Sequence, residues 1–335
     1  MTATGTAINT SRDAWSAWPD TARLYRFSIG LGLRAIGPGG TRAALPRLLN
    51  PLAYPRGMEF ALTLRGLDLL AGPANNAKYR SRGFPVAEAF QPRRPGSKAS
   101  EGSSMLPAEA RVLDVSSPKL LFLWLAANTR LRLTATDILP DFIAPTRRLL
   151  DRPGLDDNLE ARLRLQTQDA RALSYDDGSF DAVYSISVVE HIPGDGDALA
   201  LREMARVLRP GGRVCITVPF ATRYAEDWVG RDVYERRRSG GERLFYQRRY
   251  DDEALERRLV APSGLAIREV VYFGEPRLRF DRFWNGLPMP ARLPFAWAQP
   301  LFERAFLREL AAGERERAIG VALTLEKQGG RASGD

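Results

Sequence analysis

The chain has 335 residues, 44% of them hydrophobic, enough for one large α/β domain with additions or for two domains. One cysteine excludes an internal disulfide, and with only one histidine beside it no zinc ligand set can be assembled, so no metal is expected. The net charge of +9 is uneven: residues 1–107 hold 14 Lys and Arg against 6 Asp and Glu, while the rest is close to neutral. A basic arm of this kind suits nucleic acid, an anionic membrane surface or an acidic substrate, and equally describes arginines that are merely solvated. No run of about 18 apolar residues is present, and the first 20 residues lack the regions of a signal peptide, so a cytoplasmic protein is expected. Abundant Arg and Ala with little Lys is an association with GC-rich bacterial genomes.

In chain order, residues 1–12 are expected to be disordered. From Trp15 to Ile36 Leu24, Phe27 and Leu31 recur near helical spacing among Arg23, Arg26 and Arg34, with Gly30 and Gly32 weakening the helix. A second helix is expected over Glu59 to Leu70, so residues 1–72 form an N-terminal helical lid or arm. Residues 73–107, rich in Pro, Gly, Ser and Arg, have the composition of a flexible linker.

Residues 108–328 alternate strand and helix. An apolar strand, Arg111-Val-Leu-Asp-Val115, leads through Ser116-Ser-Pro-Lys119 into an apolar helix, Leu120 to Asn128. Strand Leu131 to Thr136 ends in Asp137. Strand Arg162 to Gln168 runs into Asp169-Ala170, and the next, from Phe180, ends in Ser187-Val-Val-Glu-His191. A helix over Ala198 to Leu208 is stopped by Arg209-Pro-Gly-Gly212 before the strand Arg213 to Pro219, in which Cys215 reads as a small core residue. This alternation predicts right-handed βαβ units and a parallel sheet, with ligands at the carboxyl ends of the strands. Asp114, Asp137, Asp169 and Glu190 all stand at or near such ends.

Beyond this core, Phe220 to Tyr250 mixes aromatics with arginines. A helix over Asp252 to Val260 and a strand over Leu265 to Phe273 follow, and a last strand, Ile319 to Leu325, is expected to pair antiparallel with Leu265 to Phe273. Between these strands lies an aromatic insert, residues 274–317, that suits a substrate pocket, a dimer contact or a small satellite core.

Taken together, these motifs resemble the class I S-adenosylmethionine-dependent methyltransferases, specifically the type 11 methyltransferase domain. The resemblance implies an α/β, Rossmann-like fold: a seven-stranded, mostly parallel sheet with an antiparallel last strand, plus N-terminal helices and a helical insert before that strand. It implies S-adenosylmethionine as cofactor, with Asp137 and its neighbour Ile138 at the ribose, Asp169 and Ala170 at the adenine, and Asp114, Ser116, Pro118 and Ser185 lining the rest of the site. Glu190 and His191 resemble the family's Glu-His pair after the fourth strand, where the acceptor site opens. His191 is the candidate general base, since an imidazole titrates near neutrality, and Glu190 the residue that orients it or binds the acceptor. The alternative reading is that the pair caps the following turn.

The sequence departs from the family in its first loop. The family reads Asp-x-Gly-x-Gly-x-Gly there; this chain reads Asp114-Val-Ser-Ser-Pro-Lys119, without glycine. Ser117 is expected to cap the next helix with Pro118 in its first position, leaving free N–H groups for the methionine carboxylate. Lys119 either adds charge to that end or points into solvent. Dinucleotide binding, which needs glycines against the pyrophosphate, fits less well.

The expected activity is O- or N-methylation of a small-molecule acceptor, a secondary metabolite, lipid or glycan precursor, and a homodimer is one of the arrangements that the aromatic insert would allow. A nucleic-acid methyltransferase gains from the basic charge but lacks an Asn-Pro-Pro-aromatic motif after the fourth strand. A non-catalytic binding scaffold is the third reading, permitted by the missing glycines.

Overall fold

The computed structural model describes residues 18–34, 53–69, 106–107, 109–150, 159–230 and 243–329. The segment read as disordered and, apart from Leu106 and Pro107, the one read as a linker lie outside these residues. Among the described residues no helix is long and apolar enough to cross a membrane.

Five strands run parallel: β1 (Arg111–Val115), β2 (Arg132–Asp137), β3 (Leu163–Thr167), β4 (Phe180–Ile186) and β5 (Leu208–Pro219). Outside them β6 (Ala225–Val229) and β7 (Leu244–Arg249) form a separate antiparallel pair within the aromatic Phe220–Tyr250 region. β10 (Ala318–Glu326) lies between β5 and β8 (Ala266–Gly274), antiparallel to both. The main sheet has the order β3-β2-β1-β4-β5-β10-β8-β9. It therefore has eight strands, not seven. The extra one, β9 (Arg308–Glu309), forms where the end of the insert pairs with Phe273 and Gly274 before the chain enters β10.

The Arg-Pro-Gly-Gly motif is not a turn ahead of β5 but lies inside it. Phe180 pairs with Leu208 and Ala182 already with Arg213, so the four residues bulge out of the ladder. Gly211 takes φ +74°, and a Cβ on Gly212 would stand 2.8 Å from the carbonyl oxygen of Asp181, so both positions require glycine.

The helices that position the site are α1 (Trp18–Arg34), α2 (Arg56–Gly66), α3 (Lys119–Asn128), α4 (Pro140–Leu150) and α5 (Gly196–Val207). α3 is apolar on nearly all sides, as its Leu-Leu-Phe-Leu-Trp-Leu run demands, because the sheet covers one side and α1 another. Leu121, Phe122 and Leu125 are fully buried, each contributing about 1.5–3 kcal/mol. The opposite face of the sheet is covered by α5 and by α6 (Asp252–Leu255), which continues through a π-turn, Glu256–Val260, into α7 (Ala261–Ser263).

α2 is buried along almost its whole length, against β4, β5, β8 and β10 on one side and the insert on the other. Within the insert, α8 (Phe280–Gly286) and α9 (Gln299–Phe306) share a satellite core with α2: Phe280 stacks on Trp284 and Phe306, beside Met58 and Leu62. Of the three uses open to the aromatic insert, its inward-facing half serves as core.

Candidate active site

The carboxyl ends of β1 to β4 meet along one edge of the sheet. Asp137 closes β2, where its carboxylate accepts the N–H of Leu139 at 3.0 Å and its carbonyl accepts the N–H of Gln168 at 3.0 Å. That second bond brings the chain after β3 alongside, so Asp137 and Asp169 lie on neighbouring strand ends. Ile138 is exposed and Ala170 buried. The Asp169 carboxylate is gripped by the Arg171 guanidinium, with Nη2 at 2.6 Å and Nε at 3.0 Å, and these hydrogen bonds hold it below the usual carboxylate range.

The glycine-free loop is tied down by side chains. Ser116 takes φ +57°, a left-handed conformation that costs a residue with a Cβ about 1 kcal/mol or more. Asp114 is buried at the end of β1 and accepts the N–H of Ser117 at 2.8 Å. Lys119 turns inward: its Nζ donates to the carbonyls of Ser117 at 2.8 Å and Thr136 at 3.0 Å, and lies 3.4 Å from the Asp114 carboxylate. Lys119 does not point into solvent: backbone carbonyls exposed by the loop and a buried acid hold its ammonium instead. Even so, burial outweighs Lys119 and pushes the Asp114 carboxyl above its ordinary range.

The expected cap also differs. Pro118 is itself the N-cap of α3, which has no side-chain cap, and the Ser117 hydroxyl instead accepts the N–H of Ile186 at 3.0 Å, joining the loop to β4. The Ser185 hydroxyl likewise bridges strands, donating to the carbonyl of Val115 at 3.0 Å. Asp114, Ser117 and Ser185 thus use these side-chain groups to build the loop.

After β4, a 3-10 turn, Val189–His191, carries the Glu-His pair. The ring Nδ1 of His191 lies 2.7 Å from the carbonyl oxygen of Tyr246; a carbonyl only accepts, so Nδ1 carries the hydrogen and Nε2 faces Glu190, 3.6 Å from its Oε1. Glu190 is 1% exposed, and its Oε2 has no hydrogen-bond partner among the described residues. Burial pushes its carboxyl up to about 8, with the nearby Glu59 adding to the rise and Arg56 opposing it.

Sequence reasoning missed the residues that surround this pair. Glu59 of α2 accepts the hydroxyl of Ser187 at 2.6 Å and pairs with Arg56 at 2.6 Å. Arg248 of β7 donates to the carbonyls of Ile192 and Gly194, and Asp197, fully buried, receives Arg258 in a two-pronged pair at 2.8 Å and Tyr250 at 2.9 Å. These contacts fasten the turn from behind. Apart from Arg56 beside Glu59, each partner lies more than 50 residues away, and no local pattern links them.

Residues 113–216 match the methyltransferase domain family. This segment, about a third of the chain, is similar to a methyltransferase domain. Over 93 residues the chain is 38% identical to the methyltransferase GfsG of Streptomyces halstedii, a stretch covering 28% of this chain and 31% of that protein. Over 110 residues it is 34% identical to the ubiquinone biosynthesis O-methyltransferase of Xanthomonas oryzae pv. oryzae, covering 33% of this chain and 43% of that protein. The match therefore spans less than half of either relative. A solved S-adenosylmethionine-dependent methyltransferase from Methanosarcina mazei superposes with a TM-score of 0.44 at 16% identity, over 67% of this chain and 94% of that one.

The side chains suit the two halves of the cofactor unequally. The carboxylate of Asp137, buried at a strand end, would fit a diol. At the methionine end the start of α3, with no side-chain cap, offers N–H groups to a carboxylate, but the loop before it is held by Lys119 and a strained serine instead of by glycines.

Proposed function

We propose that the chain is an S-adenosylmethionine-dependent methyltransferase acting on a hydroxyl or amine of a small molecule. The observation that carries this reading is the Glu190–His191 pair, held just past the carboxyl end of β4 with one buried carboxyl oxygen lacking a partner among the described residues. The names of the two relatives, one of them an O-methyltransferase, support the reaction type.

In this reading Asp137 holds the ribose, the segment Asp169-Ala170 borders the adenine with Arg171 yielding part of its hold, and the first turn of α3 takes the carboxylate. Ile138, Ser116 and Pro118 line the site, and Asp114 and Ser185 shape it from within. The cofactor supplies an electrophilic methyl group on a sulfonium. That carbon would be bonded by the acceptor oxygen or nitrogen as the carbon–sulfur electrons go to sulfur, and this chain's part would be to remove the acceptor's proton. Glu190 in its ionised form, or Nε2 of His191, takes it. The Nδ1–H bond to Tyr246 keeps Nε2 the accepting nitrogen. Glu59 reaches the same loop through Ser187, which supports a role for α2 on the acceptor's side.

The lock between Lys119 and Asp114 favours a second reading, a cofactor-free scaffold. Calorimetric titration with S-adenosylhomocysteine separates the two: saturable binding with one site supports the enzyme, and absence of binding heat and of any change in thermal stability supports the scaffold.

A further inference from the structure

The insert has a second face that neither the core nor the candidate site uses. Its inner residues, Phe280, Trp284, Phe302 and Phe306, pack on one another and toward α2. Its outer residues include Leu278, Phe283, Phe295, Trp297 and Leu301, with Phe283 62% and Leu301 60% exposed. Single exposed apolar residues are ordinary, but five within one short insert are not.

The charges on the part of the insert that carries these residues are one-sided. Residues 276–308 contain six arginines and two acids. Both acids are turned inward: Glu303 is buried and accepts the N–H of Gly57 at 3.1 Å, and Asp281 is half-buried beside Glu275. Arg277, Arg282 and Arg304 are exposed, so the outer face presents aromatic and aliphatic groups among positive charge only. The face is also pre-formed. Tyr25 of α1 donates to the carbonyl of Trp297 at 2.7 Å and packs edge-on against its ring, fixing the turn between α8 and α9 from below.

We propose that this outer face docks the protein onto an anionic lipid bilayer. Phe and Trp side chains gain by entering the boundary between headgroups and acyl chains, and arginines lay their stems along that boundary with the guanidinium at the phosphates. The attraction needs negative surface charge, and between residues 276 and 308 the face has no exposed acid to oppose it; the nearest exposed acid in the insert is Glu316, past β9. A second copy of the chain is a poor occupant, because a self-complementary contact would bring arginine against arginine.

The test is sedimentation of the full chain with vesicles of phosphatidylcholine alone or mixed with phosphatidylglycerol. Binding to the mixed vesicles is expected at least about tenfold tighter than to the neutral ones and weakened by salt. The double variant Phe283→Ser/Leu301→Ser and the pair Arg277→Glu/Arg282→Glu, all at exposed positions, should each lower binding by about tenfold or more while circular dichroism stays unchanged. Failure to bind anionic vesicles overturns the proposal. So does binding that survives both sets of substitutions, which would move the contact to the basic N-terminal arm, or a dimer that the apolar variant converts to monomer while vesicle binding is unaltered.

Discussion

Glu59 of α2 accepts the Ser187 hydroxyl at 2.6 Å across 128 residues of sequence, joining the N-terminal helices to the loop that leaves β4. Since α2 also fills the space between sheet and insert, removing it would expose the core as well as one side of the site. The helix expected to lie over the domain is built into it.

Cofactor affinity should depend on Asp137. A carboxylate facing a diol makes charge-assisted hydrogen bonds, and its loss leaves buried hydroxyls unpaired. Asp137→Ala is expected to weaken S-adenosylhomocysteine binding at least about tenfold, on the order of 1.4 kcal/mol, in calorimetry. An unchanged affinity would place the ribose elsewhere.

The pH dependence of turnover should report Glu190. With its carboxyl at about 8 in the free protein, the proton-accepting form is scarce at neutrality, so kcat/KM is expected to rise with pH through an ionisation near 8. Glu190→Gln should lower kcat far more than it weakens cofactor binding. Should Glu190→Gln retain both rate and profile while His191→Asn abolishes turnover, the imidazole is the base.

Stability should respond to the same group in the opposite sense. Burial raises the Glu190 carboxyl from its ordinary 4.5 to about 8, so the folded state binds the proton more tightly. Its contribution is complete below about pH 4.5 and is lost as pH rises through 8, a swing on the order of 5 kcal/mol at most. Thermal midpoints should therefore fall between pH 6 and 9, and fall less in Glu190→Gln. Glu303, also raised to about 8 by burial, keeps part of the slope in that variant. Equal slopes in the two proteins would show that Glu190 does not titrate there.

The Asp114–Lys119 lock predicts a coupled pair. Lys119→Met removes the ammonium from three oxygen partners and leaves a buried acid, which should cost about 3–5 kcal/mol in denaturant unfolding. Combining it with Asp114→Asn should cost clearly less than the two single losses added together. Strict additivity would mean that the two side chains do not act on each other.

The order of strands and helices, the acids at the strand ends and the antiparallel last strand were legible in the sequence because they rest on local hydrophobic periodicity and short motifs. The places of Asp137, Asp169, Glu190 and His191 at or just past strand ends could be read in that way. Tertiary structure alone decided what those groups face. Whether Lys119 met solvent or a buried acid depended on the ends of β1 and β2 coming together. The ring orientation of His191 depended on the carbonyl of Tyr246, 55 residues on. The charges that act on the buried Glu190 carboxyl, Glu59 and Arg56, depended on α2 arriving from the other end of the chain. Periodicity encodes which face of an element is apolar, whereas desolvation and charge pairing depend on distances that exist only once distant elements have packed.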